Sequence, residues 1–220
     1  MVDEYRSEEE QIAALKRWWE ENGNSLLIGI AAALAVVFGW KAWQNSVENE
    51  KAEASVTYQQ LITTATSNSL DEADEGSSVA FVAGELKEKF ADSEYAIYGA
   101  LFLAKEAVER NALDEAAAEL NWVLENTEDA RMSHVAKGRL ARVLSAQGNH
   151  DEALALLVAP DAAFEAAFLE LRGDILLRTE QNQAAIDAYT EAYALVKQSP
   201  QSQPLLAVKL SDLGVNPETL

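Results

Sequence analysis

Leu140-Ala141-Arg142-Val143-Leu144, a break at Gly148-Asn149, then Ala153, Leu156 and Leu157 read as one helix, a turn and a second helix. The same statement occurs twice more. Tyr95-Ala96-Ile97-Tyr98-Gly99-Ala100-Leu101-Phe102-Leu103-Ala104 continues to about Arg110 and turns through Asn111; a stripe of Ala116, Leu120, Val123 and Leu124 follows. Leu171-Arg172-Gly173-Asp174-Ile175-Leu176-Leu177 leads through Gln181-Asn182 to a helix carrying Ala185, Tyr189 and Ala192. In each pair a small residue is followed twelve positions later by alanine: Ala104 and Ala116, Ala141 and Ala153, Gly173 and Ala185. Four positions further on stands a large residue, Leu120, Leu157 or Tyr189. Two antiparallel helices approach closely where both are small, and the large residue fills the groove beside the contact.

Successive hairpins are offset by 37 and 32 residues, on either side of the roughly 34-residue period of tetratricopeptide repeats. The fold class is therefore all-α, a tetratricopeptide-like helix-hairpin solenoid. The alternative is a non-repeating, alanine-rich bundle, which three units in one register disfavour. With 10 Gly and 4 Pro the chain has too few turn residues for a sandwich or barrel. Upstream, Glu53–Thr66 and Ser78–Phe90 read as a degenerate earlier hairpin around a polar, acidic loop. That loop is no calcium site: counted from Asp71, position 3 is Ala73 and position 12 is Val82, neither an oxygen ligand. Downstream, Pro200 and Pro204 bracket a break, and Leu205–Leu213 reads as a terminal helix, a cap with one polar face.

Near the start, residues 22–40 carry no charge, and the apolar heart runs from Leu26 to Trp40. Extended through Trp43, it makes a helix of about 27 Å, close to a hydrocarbon core of about 30 Å. Trp18 and Trp19 flank one end and Trp40 and Trp43 the other, as interfacial anchors do. A signal peptide wants a basic start, whereas the residues before this run carry Arg6, Lys16 and Arg17 against seven acids. The single N-terminal transmembrane helix is placed at 22–43, after a short cytoplasmic or interfacial tail at 1–21 and before a repeat domain at 44–220. Lys16 and Arg17 before the span, against Lys41 and Lys51 after it, bias the N-terminus slightly toward the cytoplasm. Within the tail, Ser7 with Glu10 resembles a capping box and Gly23 a stop. Those residues make either a separate amphipathic collar or a plain extension of the spanning helix. Ala31, Ala35 and Gly39 form a small-residue row, the candidate membrane helix-packing face.

The chain holds 17 Lys+Arg against 37 Asp+Glu, a net charge of −20. Such an excess repels phosphate backbones and disfavours a nucleic-acid binder. Cysteine is absent, which removes thiol chemistry. His134 and His150 are too far apart for a helical metal pair and are expected to be solvated. No nucleophile elbow, phosphate loop or dinucleotide fingerprint occurs, so no catalytic, metal or cofactor-binding residue is assigned and no small-molecule substrate is expected. Taking the small residue of each first helix as an inner marker, the positions one and four residues beyond it face the concave surface of a solenoid: Lys105 and Val108, Arg142 and Ser145, Asp174 and Leu177. They mix charge with apolar contact, as a peptide groove does, although ordinary solvated or inter-repeat positions would look the same. Arg139 and Arg142 would equally neutralise acidic surroundings. Function is therefore expected to be binding, either as a membrane-tethered interaction scaffold or as a holdase acting on extended clients through the same surface.

Several stretches together resemble the YfgM-type family: Glu10-Gln11, Lys16, Trp18-Trp19, Asn22-Gly23, the span, Trp40 and Trp43, then Ser93-Glu94-Tyr95-Ala96, Arg139 to Leu144, Arg172 to Leu176 and Lys209 to Leu213. The likeness covers nearly the whole chain; the acidic loop around Leu70–Ser78 departs from it. The resemblance implies a single-pass bacterial inner-membrane protein of type II, with a cytoplasmic N-terminus and a periplasmic repeat domain. It further implies ancillary association with the SecYEG translocon, a periplasmic chaperone of PpiD type as partner, secreted clients handed onward, and a link to envelope-stress signalling.

Overall fold

Proline first occurs at residue 160, so nothing in the early chain lacks a helical N–H. The computed structural model describes residues 2–66, 72–158, 160–197 and 204–220, and opens on one helix, α1 (Val2–Thr66). The chain divides into two units, one up to Glu53 and one from Ala54 on.

In the first unit α1 starts ahead of Ser7 and passes through Gly23. The extension of the spanning helix is therefore what forms, and neither the Ser7 cap nor the Gly23 stop is used. An interior glycine costs about 1 kcal/mol relative to alanine, which strong helix formers on both sides outweigh. Trp19 packs over the bare Cα of Gly23, where a Cβ would lie 3.1 Å from the indole. One stretch of α1 is long and apolar enough to cross a membrane, and none of it is buried inside the protein. Leu27, Ile28, Val36, Val37 and Phe38 are all exposed there. Each such side chain left in water forgoes about 1.5–3 kcal/mol, so the stretch is made for a hydrocarbon phase. Trp40 and Trp43 hold their ring centroids 5.1 Å apart at its end.

In the second unit, helical periodicity yields α2 (Glu72–Lys89), α3 (Glu94–Glu109), α4 (Leu113–Asn126), α5 (Ala130–Ala146), α6 (His150–Ala155), α7 (Ala162–Arg178), α8 (Asn182–Lys197) and α9 (Pro204–Asp212), followed by a 3-10 turn at Pro217–Thr219. No strand occurs among the described residues. The end of α1 packs on α2 and α3 through Ala54, Leu61, Val82, Ala83 and Leu86. The expected loop over 67–78 is thus shorter than read, because α2 already begins at Glu72; residues 67–71 lie outside the described ones. At Gly99 the backbones of α2 and α3 nearly touch: a Cβ there would sit 2.8 Å from the Ala83 carbonyl oxygen.

The three hairpins are α3/α4, α5/α6 and α7/α8. All six seam residues are buried, with Ala116, Ala153 and Ala185 wholly so, and Leu120, Leu157 and Tyr189 are buried beside them. The seam is tightest at Gly173, where a Cβ would collide with the Tyr189 ring, reaching Cδ1 at 2.6 Å. α6 is shorter than its counterparts and Leu157 falls in the turn after it, bonding Leu154 at 3.1 Å. The turns share one geometry. Asn111, Gly148 and Glu180 adopt φ of 58°, 89° and 61°, each seven residues after Ala104, Ala141 or Gly173. The next amide in each case donates five residues back: Ala112 to Ala107 at 2.8 Å, Asn149 to Leu144 at 2.9 Å, Gln181 to Leu176 at 2.9 Å. This is the Schellman closure, which satisfies carbonyls left open at a helix end.

The same register reappears at α9. Ala207 lies 34 residues after Gly173, and Gly214 follows seven residues later with φ of 81°. Val215 N–H closes back on the Leu210 carbonyl at 3.0 Å. α9 is therefore the first helix of a fourth unit, with a 3-10 turn where the second helix would start. Leu206 and Leu210 are buried against α8, while Leu205 and Val208 face solvent. The outer side of the terminal helix is accordingly mixed, Leu205 and Val208 beside exposed Ser211 and Asp212, where a cap with one polar face is expected.

Glu180 holds a left-handed conformation that suits glycine. Glu180→Gly relieves about 1–2 kcal/mol of that strain against roughly 0.5–1 kcal/mol of added chain entropy. The melting temperature should therefore rise slightly, by about 0.5–1 kcal/mol of stability. Gly148→Ala, at a comparable φ, should lower stability by about 1 kcal/mol. Circular-dichroism melting of both variants measures the two opposite signs.

Candidate functional site

Helix α3 sends Leu101, Ala104, Lys105, Val108 and Glu109 to one side. α4 contributes Leu113 and Leu120 beneath, and α5 brings Arg139, Arg142, Val143 and Ala146. Between them lies a groove of about 390 Å³, within the size range of small binding pockets. Its lining is mainly apolar: Leu101, Leu120 and Val143 are buried, and Val108 stays 45% exposed. The charges are on the walls. Lys105 sits 3.0 Å from Glu109 and 3.6 Å from Glu106. The Glu109 hydrogen bond is the main reason its ammonium is held above the ordinary lysine pKa. Arg139 and Arg142 are exposed, and the only hydrogen bond described for Arg142 is a long one, 3.4 Å, to the Gly138 carbonyl.

A second hollow, about 500 Å³, lies between the start of α3 and the start of α5. Two of its polar side chains have structural work: Ser93 accepts from Ala96 N–H at 3.3 Å and Asp129 from Arg131 N–H at 2.7 Å. These are N-caps, and Glu94 in the first turn of α3 suits the positive helix end.

Of the six candidate contacts on the concave face, the structure brings Lys105, Val108 and Arg142 into the groove. The other three lie elsewhere. Ser145 is only 4% exposed, and its hydroxyl is 3.1 Å from Nδ1 of His150. Asp174 accepts from Tyr189 Oη at 2.7 Å and from Lys209 Nζ at 2.6 Å. Leu177 is 37% exposed, away from the groove lining. Ala31, Ala35 and Gly39 are exposed along α1, and a Cβ on Gly39 would meet nothing within 4 Å. The histidines are not solvated as expected. His134 stacks on Phe164 at 4.9 Å, with Nδ1–H donating to the Ala130 carbonyl at 2.7 Å and Nε2 accepting from Asp161 N–H at 3.3 Å. Helix α7 lays Phe164 and Phe168 over it, a contact with no local sequence signal. Among the described residues no cluster of His, Asp and Glu is placed to hold a metal.

Sequence reasoning missed the tie that fastens α9. Lys209 bridges Glu170 at 2.7 Å and Asp174 at 2.6 Å, over separations of 39 and 35 residues, and lies over the Tyr189 ring at 5.5 Å. The only available hint was a tyrosine at the seam position that holds leucine in the other two units. Burial, then the hydrogen bond to Asp174, pushes the Tyr189 phenol far above its usual pKa. Burial acts against the Lys209 ammonium, but the bonds and charges of Asp174 and Glu170 outweigh it and raise its pKa. Both groups therefore keep their protons more tightly when folded. The stability they contribute is complete below the ordinary tyrosine and lysine values of about 10 and 10.4 and is lost as pH rises through the raised values. The melting temperature should fall above about pH 10. Lys209→Met should flatten that fall and cost about 1–2 kcal/mol at neutral pH, because two carboxylates lose their cation. Amide exchange in α9 should rise in the same variant.

A family model described as a tetratricopeptide repeat-like domain matches residues 16–215. The chain is 31% identical over 215 residues to the ancillary SecYEG translocon subunit of Escherichia coli K12, covering 96% of this chain and 98% of that protein. It is 29% identical to the protein of the same name from Haemophilus influenzae, covering 94% and 97%. It is 26% identical to the one from Neisseria gonorrhoeae, with the same coverage, 94% and 97%. No solved structure matches significantly.

Proposed function

This chain belongs to the tetratricopeptide repeat-like family of ancillary SecYEG translocon subunits, and from that membership we propose that it is a membrane-anchored interaction protein of the translocon. The carrying observation is the end-to-end likeness to those subunits, which spans the apolar helix and the repeats alike. An apolar stretch of α1 with no protein around it supports residence in the inner membrane, with the span at 22–43. The Lys16 and Arg17 flank supports a cytoplasmic N-terminus and a periplasmic repeat domain from residue 44 on. Small residues Ala31, Ala35 and Gly39 offer a face for close approach by a translocon helix.

The repeat domain supplies the second attachment. Its groove between α3 and α5 docks a periplasmic chaperone of PpiD type, so that secreted clients pass onward from the channel. Anchoring confines the groove to the membrane surface near the channel, and that effective concentration lets a weak contact suffice. No catalytic residue is required by this role.

Affinity purification of the tagged full-length chain in mild nonionic detergent should recover SecY together with a periplasmic chaperone. An intact tagged protein that recovers neither would refute the reading. Protease added to intact spheroplasts should digest the repeat domain; digestion only after lysis would reverse the orientation.

A further inference from the structure

We infer that the groove between α3 and α5 selects a segment of its partner that carries carboxylates beside aliphatic side chains, with Arg139 and Arg142 binding the carboxylates and Val108 and Leu101 taking the aliphatic group. This rests on the reading of the repeat domain as the partner-docking part of the protein.

The argument begins with charge. The chain holds 37 acidic and 17 basic residues, and five of its cations are already paired with carboxylates. Lys87, Lys89, Lys105, Arg110 and Lys209 each lie within 3.0 Å of one. Arg139 and Arg142, like Arg131, Lys137, Arg172, Arg178 and Lys197, form no ion pair among the described residues; of these, only Arg139 and Arg142 line the apolar groove. The one acid that lines the groove, Glu109, is already held by Lys105. The groove therefore keeps two uncompensated positive charges inside a strongly negative protein. They lie three residues apart on α5, hence on one face.

A guanidinium presents a planar fork of donors that matches a carboxylate in two parallel bonds. Left in water, these two cost the fold nothing. A partner that covers the groove removes that water. A neutral aliphatic segment would strip the guanidiniums and leave them unpaired, and a basic one would be repelled. An acidic–aliphatic segment pairs them and fills the apolar lining. Elsewhere the negative surface repels such a segment, so binding is confined to the groove and weakens with salt.

The test uses the full-length protein in nonionic detergent, with empty micelles as blank. The probes are two labelled octapeptides with blocked ends, one alternating aspartate and leucine, the other alternating asparagine and leucine. The aspartate peptide should bind at least tenfold more tightly by fluorescence anisotropy. Arg139→Gln with Arg142→Gln should remove that preference without moving the melting temperature. Equal affinity for the two peptides, or a preference that survives in the double variant, would overturn the inference. Self-association that the double variant abolishes would overturn it too, by assigning the groove to a second copy. Binding of the translocon is read separately. If SecY still co-purifies but the peptides are not distinguished, carboxylate selection fails and the anchored scaffold stands. If the peptides are distinguished but SecY is never recovered, selection holds and the translocon role falls.

Discussion

Two helices can close on each other only as far as their side chains allow, and in this repeat domain that limit is set by three pairs of small residues. Ala104 with Ala116, Ala141 with Ala153, and Gly173 with Ala185 leave no more than a methyl group on either side of each hairpin. The flanking Leu120, Leu157 or Tyr189 then fills the space that the close approach opens. Once the seam is fixed the turn follows. Seven residues separate each seam residue from a left-handed residue, and the next amide closes on the carbonyl five positions back. A connection so constrained delivers the second helix at one rotation, which is why the seam alanine recurs at the same distance.

The seam also determines what is free to vary. In a first helix one stripe meets its own partner and another meets the neighbouring hairpins. The positions two before and one after the seam residue remain. They are Phe102 and Lys105, Arg139 and Arg142, Leu171 and Asp174, and, in the half unit, Leu205 and Val208. Their chemistry differs from unit to unit because the seam does not dictate it; Phe102, for one, packs on the core of α1 and α2. In the third unit the freedom is taken up within the fold: Leu171 is buried and Asp174 is bound by Lys209 and Tyr189. Only between the first two units does the pair of arginines stay open to solvent over an apolar lining. The location of the groove thus follows from where the packing makes no use of the variable positions.

The architecture was legible from the sequence because it is written in local spacing. The twelve-residue seam, the turns near Asn111, Gly148 and Gln181, and the uncharged run before Trp40 each lie within a few helical turns. What sequence reasoning missed is long-range or conformational. Nothing near Lys209 announces Glu170 or Asp174, which reach it only when α9 folds back beside α7. Nothing near His134 announces Phe164. Ser145 and Asp174 have the same repeat positions as groove residues, yet their side chains bond inward to His150 and Tyr189. The 34-residue step from Gly173 to Ala207 is present in the sequence, but Pro200 and Pro204 interrupt the helical pattern between them and mask the register that continues past the break. Gly23 shows the reverse error: a residue able to end a helix does so only if the chain beyond it leaves the helix, and here it does not.

Net charge and local charge act on different scales here. A charge of −20 resists random association at distances of about a Debye length, roughly 8–10 Å. It says little about contacts at hydrogen-bond range. Arg139 and Arg142 operate at that shorter range, where geometry outweighs the mean field. Binding there requires a partner able to overcome long-range repulsion, either by bringing apolar surface of its own or by being held nearby. A membrane anchor provides the second condition without demanding more of the groove. An acidic exterior, a small basic cleft and an apolar tether are therefore mutually consistent with the proposed role: the first would suppress unwanted partners, the second would read the wanted one, and the third would make a modest affinity enough.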